Sequence, residues 1–116
     1  MGRRSTPSRV KHLKRVPVGH VFYKLERAAR FKDDRLAECD YGRRIIRIAR
    51  HQRAPMQWAN SFWHEFFHAA FYELGYEPDA DSEAKVEGFA HIMLSLLTHA
   101  EGRQLLANMI RHMPEQ

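Results

Sequence analysis

His64, Glu65 and His68 stand in the order HExxH, inside a run from Pro55 to Leu74 that predicts a single helix. Ala59, Phe62, Trp63, Phe66, Phe67, Ala70 and Leu74 recur at helical spacing and form one broad apolar arc. At 3.6 residues per turn, positions 64 and 68 project from one face a turn apart, so two imidazoles can grip one tetrahedral ion. Zinc is the metal that this donor type suits. Glu65 points about 100° away from His64, where it can hold an attacking water without ligating the ion. The two histidines lie at the edge of the arc, so the ligands line a wall rather than face bulk water.

Such a site needs a third protein ligand from further along the chain. The stretch Asp81-Ser82-Glu83-Ala84-Lys85-Val86-Glu87-Gly88-Phe89-Ala90-His91 supplies the candidates. Asp81 or Ser82 can cap a helix whose apolar stripe, Val86, Phe89, Ala90, Met93, Leu94, Leu96 and Leu97, ends near Thr98. Glu83 lies along the edge of that stripe, and a carboxylate facing a core needs a positive partner there. A zinc ion held by two histidines is such a partner. Glu87 lies one turn on, placed to accept a hydrogen bond from a ligating imidazole. The reverse assignment, with Glu87 on the metal, stays open, and His91 continues the same row.

The runs Trp63-His64-Glu65-Phe66-Phe67-His68-Ala69-Ala70-Phe71-Tyr72-Glu73-Leu74-Gly75 and Glu83-Ala84-Lys85-Val86-Glu87-Gly88-Phe89-Ala90 resemble the ImmA/IrrE-like metallopeptidases and their small relatives in phages and mobile elements. The pattern of that family is an HExxH helix, a short loop, and a second helix carrying E-x-x-A-N-x-F-A, whose leading glutamate binds zinc. Glu83 matches that glutamate and Phe89-Ala90 the closing pair. Val86 and Glu87 stand where the pattern has alanine and asparagine. The resemblance spans residues 21–98 and implies a compact gluzincin-type domain with peptidase activity.

The elements that must position these residues read as α+β: a zincin-like minimal metallopeptidase domain with a short antiparallel sheet packed on the HExxH helix and on a second, ligand-bearing helix. Val18 to Leu25 reads as a first strand, and Lys24 to Lys32 reads alternatively as a short helical turn. Leu36 to Asp40 and Arg44 to Ala49 flank Tyr41-Gly42-Arg43, a hairpin in which Gly42 can supply a positive φ. One limb of it, as an edge strand, can receive an extended peptide by strand addition. Gly75 terminates the metal helix and Pro78 blocks its resumption. Gly102 is expected to break the second helix, before a third amphipathic helix from Arg103 to His112.

With 116 residues, 44% of them hydrophobic, the chain supports one modest core and not two. Its charge is uneven. Arg3, Arg4, Arg9, Lys11, Lys14 and Arg15 give the first 20 residues +6 with no acid, and the remaining 13 basic and 14 acidic residues leave −1. Residues 1–17 therefore read as a basic, disordered arm capable of weak electrostatic contact with nucleic acid, and residues 18–116 as the single folded domain. Cys39 is the only cysteine, which excludes an intrachain disulfide and reads as a strand residue rather than a nucleophile. No signal region and no membrane-length apolar run is apparent, so a cytoplasmic location and no membrane partner are expected.

These readings converge on a zinc-dependent endopeptidase acting on a peptide or protein substrate. One zinc ion per chain would be held by His64, His68 and Glu83, with Glu65 as general base. Tyr41, His51, Tyr72 and Tyr76 are the candidates for an oxyanion donor. Two other readings stand beside it. One is a SprT-like, nucleic-acid-associated protease, whose third ligand would be His91; the other is a non-catalytic binding module stabilised by zinc.

Overall fold

The computed structural model describes residues 14–29, 31, 35–50 and 54–115. In chain order the elements are β1 (Arg15–Val18), β2 (Val21–Ala28), β3 (Ala37–Asp40), β4 (Ile45–Ala49), α1 (Pro55–Glu73), α2 (Ala80–Thr98) and α3 (Ala100–His112). The result is a small α+β domain whose four-stranded sheet runs β1-β2-β4-β3.

The sheet is mixed, which corrects the expectation of an antiparallel one. β1 pairs with β2 and β3 with β4 antiparallel, but β2 and β4 lie side by side in parallel, from Lys24 opposite Ile45 to Ala28 opposite Ala49. The chain leaves β2, comes down the edge as β3 and climbs back as β4 into the slot between them. β4 earns the central place by composition: Ile45, Ile46, Ile48 and Ala49 are all buried, a near-continuous apolar run that only an interior strand can satisfy on both faces.

Of the stretch from Val18 to Leu25, expected as one strand, Val21 to Leu25 lie in β2 and Val18 ends β1 across a turn. Gly19 takes φ 65° and turns β1 into β2, with Val18 opposite Val21. β2 then continues extended to Ala28, so the alternative helical turn from Lys24 does not form there, and Arg30 and residues 32–34 lie outside the described residues. Arg15 to Pro17, expected in the arm, belong to β1 because Val16 packs on the core. The carbonyl of Lys14, also expected in the arm, accepts from Leu25 N–H at 2.9 Å, and residues 1–13 lie outside the described residues.

The β3–β4 hairpin forms, but its left-handed residue is Arg44 (φ 54°) and not Gly42. The turn is closed by Arg44 N–H donating to the Tyr41 carbonyl at 3.3 Å and Arg43 N–H donating to Asp40 Oδ1 at 3.1 Å. The unfavourable φ thus falls on the last loop residue, whose guanidinium is held elsewhere.

One face of the sheet packs on α1. Val18, Tyr23, Ile46 and Ile48 meet Ala69, with Trp58, Phe62, Phe66 and Ala70 around them. The other side of α1 meets α2, where Phe67 and Phe71 place their rings 5.6 and 5.7 Å from that of Phe89. Val86 and Ala90 of α2 are fully buried. α1 is therefore the middle layer. Among the described residues α3 packs only on α2.

α1 ends as the sequence predicts. Gly75 (φ 93°) allows Tyr76 N–H to reach the Phe71 carbonyl at 3.0 Å and Gly75 N–H the Tyr72 carbonyl at 2.9 Å, a Schellman motif with Tyr76 packed on Phe71. α2 starts earlier than expected. Its N-cap is Asp79, which accepts from Ser82 N–H at 2.8 Å while Ser82 Oγ accepts from Asp79 N–H at 2.9 Å. That reciprocal box satisfies two orphan donors, which neither Asp81 nor Ser82 could do from a later cap.

Gly102 does not break α2. The break falls at His99, which is extended, and Gly102 lies buried in the first turn of α3. A Cβ there would sit 2.2 Å from the Leu96 carbonyl oxygen, so this glycine permits α3 to turn closely against α2. No helix among the described residues is long and apolar enough to cross a membrane.

Candidate metal centre

α1 sets His64 and His68 one turn apart, with imidazole centroids 4.8 Å apart and Nε2 atoms 3.2 Å apart. α2 brings its first turn against this face. Glu83 there spans both rings, with Oε2 2.8 Å from His64 Nε2 and Oε1 3.0 Å from His68 Nε2. Among the described residues these three form the group whose ligand atoms lie within 4.8 Å of one another.

The donor set fits zinc. Bonds of about 2.0–2.1 Å at tetrahedral angles place ligand atoms about 3.3 Å apart, close to the 2.8–3.2 Å triangle seen here. Without a metal each Nε2–H can donate to its own Glu83 oxygen, and with both imidazoles deprotonated at Nε2 the same three donors can close on one cation. Burial holds the His68 imidazole below its usual pKa, against the opposing pull of Glu83, and the neutral ring is the form that ligates. Glu83 is half exposed, so the site opens to solvent on the α2 side.

Glu65 points elsewhere, between α1 and the edge strand β3. Burial first, then the Glu83 and Glu38 carboxylates, raise its pKa to about 7, with Arg35 opposing them. Arg35 also holds Glu38 at 3.1 Å. Cys39 faces the same region: burial first, then Glu65, push its thiol up to about 12, so it stays protonated and packs as a strand residue.

Tyr41 is the oxyanion candidate that the fold brings into electrostatic range of the site. Burial pushes its phenol up to about 12, with Cys39, Glu65 and Glu83 adding to the effect. Its ring stacks on Tyr72 at 4.6 Å, which gives Tyr72 a supporting role. Tyr76 packs on Phe71 beyond the helix end, and His51 lies outside the described residues. Glu87 and His91 are exposed and stand outside the group. No hydrogen bond joins Glu87 to either imidazole among the described residues, and Glu87 is exposed.

Sequence reasoning missed the contact that seats α1. Glu73 accepts from the Tyr23 hydroxyl at 2.7 Å and from Arg44 Nε and Nη2 at 2.9 and 3.1 Å. Its partners lie 50 and 29 positions away, and nothing local marks them. Comparison of the chain with protein-family models, curated proteins and solved structures found no match.

Proposed function

We propose that the protein is a zinc-dependent peptidase, with His64, His68 and Glu83 holding the metal. The observation that carries this reading is the gathering of those three donors within 4.8 Å of one another, with a half-buried carboxylate, Glu65, on the residue after His64 in the same helix. Zinc bound there would supply Lewis acidity, lowering the pKa of a water toward ~7 and polarising a carbonyl.

The remaining work falls to side chains of the chain. Glu65, on the residue after His64 in the same helix, takes the proton of the attacking water and passes it to the leaving amine. Tyr41 is the group to donate to the developing oxyanion. Among the described residues β3 is an edge strand paired only with β4, and it can take an extended peptide by strand addition. The likeness to ImmA/IrrE-like metallopeptidases in the two helices supports the same reading. A SprT-like site would need His91 as ligand, and His91 is exposed and apart from the histidine pair.

The test compares zinc-loaded chain, chelator-treated chain and Glu65→Gln on an unfolded protein and on a mixed peptide library. Cleavage by the zinc-loaded wild type alone is the expected result. Zinc bound at one per chain with no cleavage of either substrate would replace this reading with a metal-stabilised binding module.

A further inference from the structure

The sheet has a second face, turned away from α1. Strand alternation puts Tyr23 and Leu25 into the core and therefore sends Phe22, Lys24 and Glu26 to the opposite side, with Arg15 of β1 and Arg47 of β4 beside them. An open hollow of about 690 Å³ lies there, bounded at one end by Arg43 and Arg44 of the hairpin loop.

The charges of this hollow divide into two sets. Arg47 is spent within the sheet: it lies between its cross-strand neighbours Glu26 and Glu38, at 3.3 and 2.6 Å. Arg44 is committed to Glu73. Arg15, Lys24 and Arg43 have no acidic partner among the described residues and are exposed. Phe22, an aromatic ring half exposed near the start of β2, lies among them with the Arg15 guanidinium 4.0 Å from its centroid. A guanidinium stacked on a ring offers a planar cationic surface, the kind on which an unpaired base stacks.

We propose that this outer sheet face binds single-stranded nucleic acid, with Arg15, Lys24 and Arg43 on the phosphates and the Phe22–Arg15 stack under a base. Three unpaired cations around an exposed aromatic ring combine the two elements such binding uses, an electrostatic track and a stacking platform. An open sheet surface carrying an exposed aromatic matches splayed single strands better than a duplex groove. The chain enters β1 at Arg15 after Arg3, Arg4, Arg9 and Lys11, so further cations precede the hollow in sequence. The sheet lies between this face and the helix carrying His64 and His68, which makes the proposal independent of the peptidase reading.

The experiment is fluorescence polarisation of the full chain with a labelled oligothymidylate of about 16 nucleotides over a series of salt concentrations. Phe22→Ala is expected to weaken binding roughly 5- to 150-fold. Lys24→Glu and Arg43→Glu are each expected to weaken it and to lower the slope of log affinity against log salt by at least ~0.7. Arg43 lies in a loop and Lys24 is exposed, so either variant serves if Phe22→Ala unfolds, with thermal unfolding as the control. A duplex of the same length should bind less tightly. The proposal is overturned if the charge reversals leave affinity unchanged while deletion of residues 1–13 abolishes it. Equal affinity for polyglutamate, or binding to phosphatidylserine vesicles in place of the oligonucleotide, overturns it as well.

Discussion

Arg44 grips Glu73 with both arms of its guanidinium, Nε on one carboxylate oxygen at 2.9 Å and Nη2 on the other at 3.1 Å. The contact ties the loop after β3 to the last turn of α1. The buried Tyr23 hydroxyl donates to the same carboxylate, so sheet and metal helix meet at one point.

The Glu73 carboxyl is held below the usual range by hydrogen bonds from Arg44 first and Tyr23 second. A depressed folded-state pKa contributes stability that is present above about pH 4.3, the unfolded value, and is lost as pH falls through the lower folded value. Glu73→Ala is expected to destabilise the fold by about 1–3 kcal/mol at neutral pH, because the Tyr23 hydroxyl loses its acceptor. It should also reduce the acid sensitivity of stability, and urea unfolding at pH 3 and pH 7 measures both effects. Equal acid sensitivity in the variant would remove Glu73 from this account.

Metal content follows from the donor triangle. Wild type is expected to carry about one zinc, and His64→Ala and His68→Ala to lose it. Glu83→Ala should weaken zinc far more than Glu87→Ala or His91→Ala in competition with a chelator, since only Glu83 meets both rings. A larger effect at Glu87 or His91 would show that α2 turns on metal binding and offers a different residue.

Glu65 gives a prediction in the metal-free protein. Its folded pKa is raised to about 7 from an unfolded value of about 4.3. The associated stability is full below that unfolded value and is lost as pH rises through 7. Glu65→Gln should flatten this decline, retain zinc binding and abolish hydrolysis. Thermal unfolding of chelator-treated samples from pH 4 to pH 8 reads the first effect, and an unaltered decline in the variant would assign it to another group.

Tyr41→Phe keeps the ring stacked on Tyr72 and removes only the hydroxyl. The expected loss in kcat is about 10²- to 10³-fold with KM little changed, as for removal of one oxyanion donor. Loss confined to KM would make Tyr41 a substrate contact instead.

Gly102→Ala separates propensity from packing. In an open helix the change stabilises by ~1 kcal/mol, but here the new methyl would meet the Leu96 carbonyl oxygen at 2.2 Å. Destabilisation of about 1–3 kcal/mol is expected. A stabilised variant in urea unfolding would show that α3 does not approach α2 this closely.

The sequence by itself determined what depends on short-range periodicity. His64 and His68 share a helix face because they are four residues apart, Gly75 ends that helix because it tolerates a positive φ, and the apolar rows of α1 and α2 are visible as 3.6-residue repeats. The β3–β4 hairpin was legible from two apolar limbs around a short turn. Even the central position of β4 left a trace in Ile45-Ile46-Arg47-Ile48-Ala49, though alternation alone does not say which strand lies alongside. Tertiary structure decided the rest. The parallel pairing of β2 with β4, the meeting of Glu73 with Tyr23 and Arg44, and the turn of α2 that carries Glu83 onto both imidazoles all join residues far apart in the chain. So does the burial that raises the Glu65 pKa. Such contacts depend on how whole layers pack, and no local spacing encodes which distant side chain will stand opposite another.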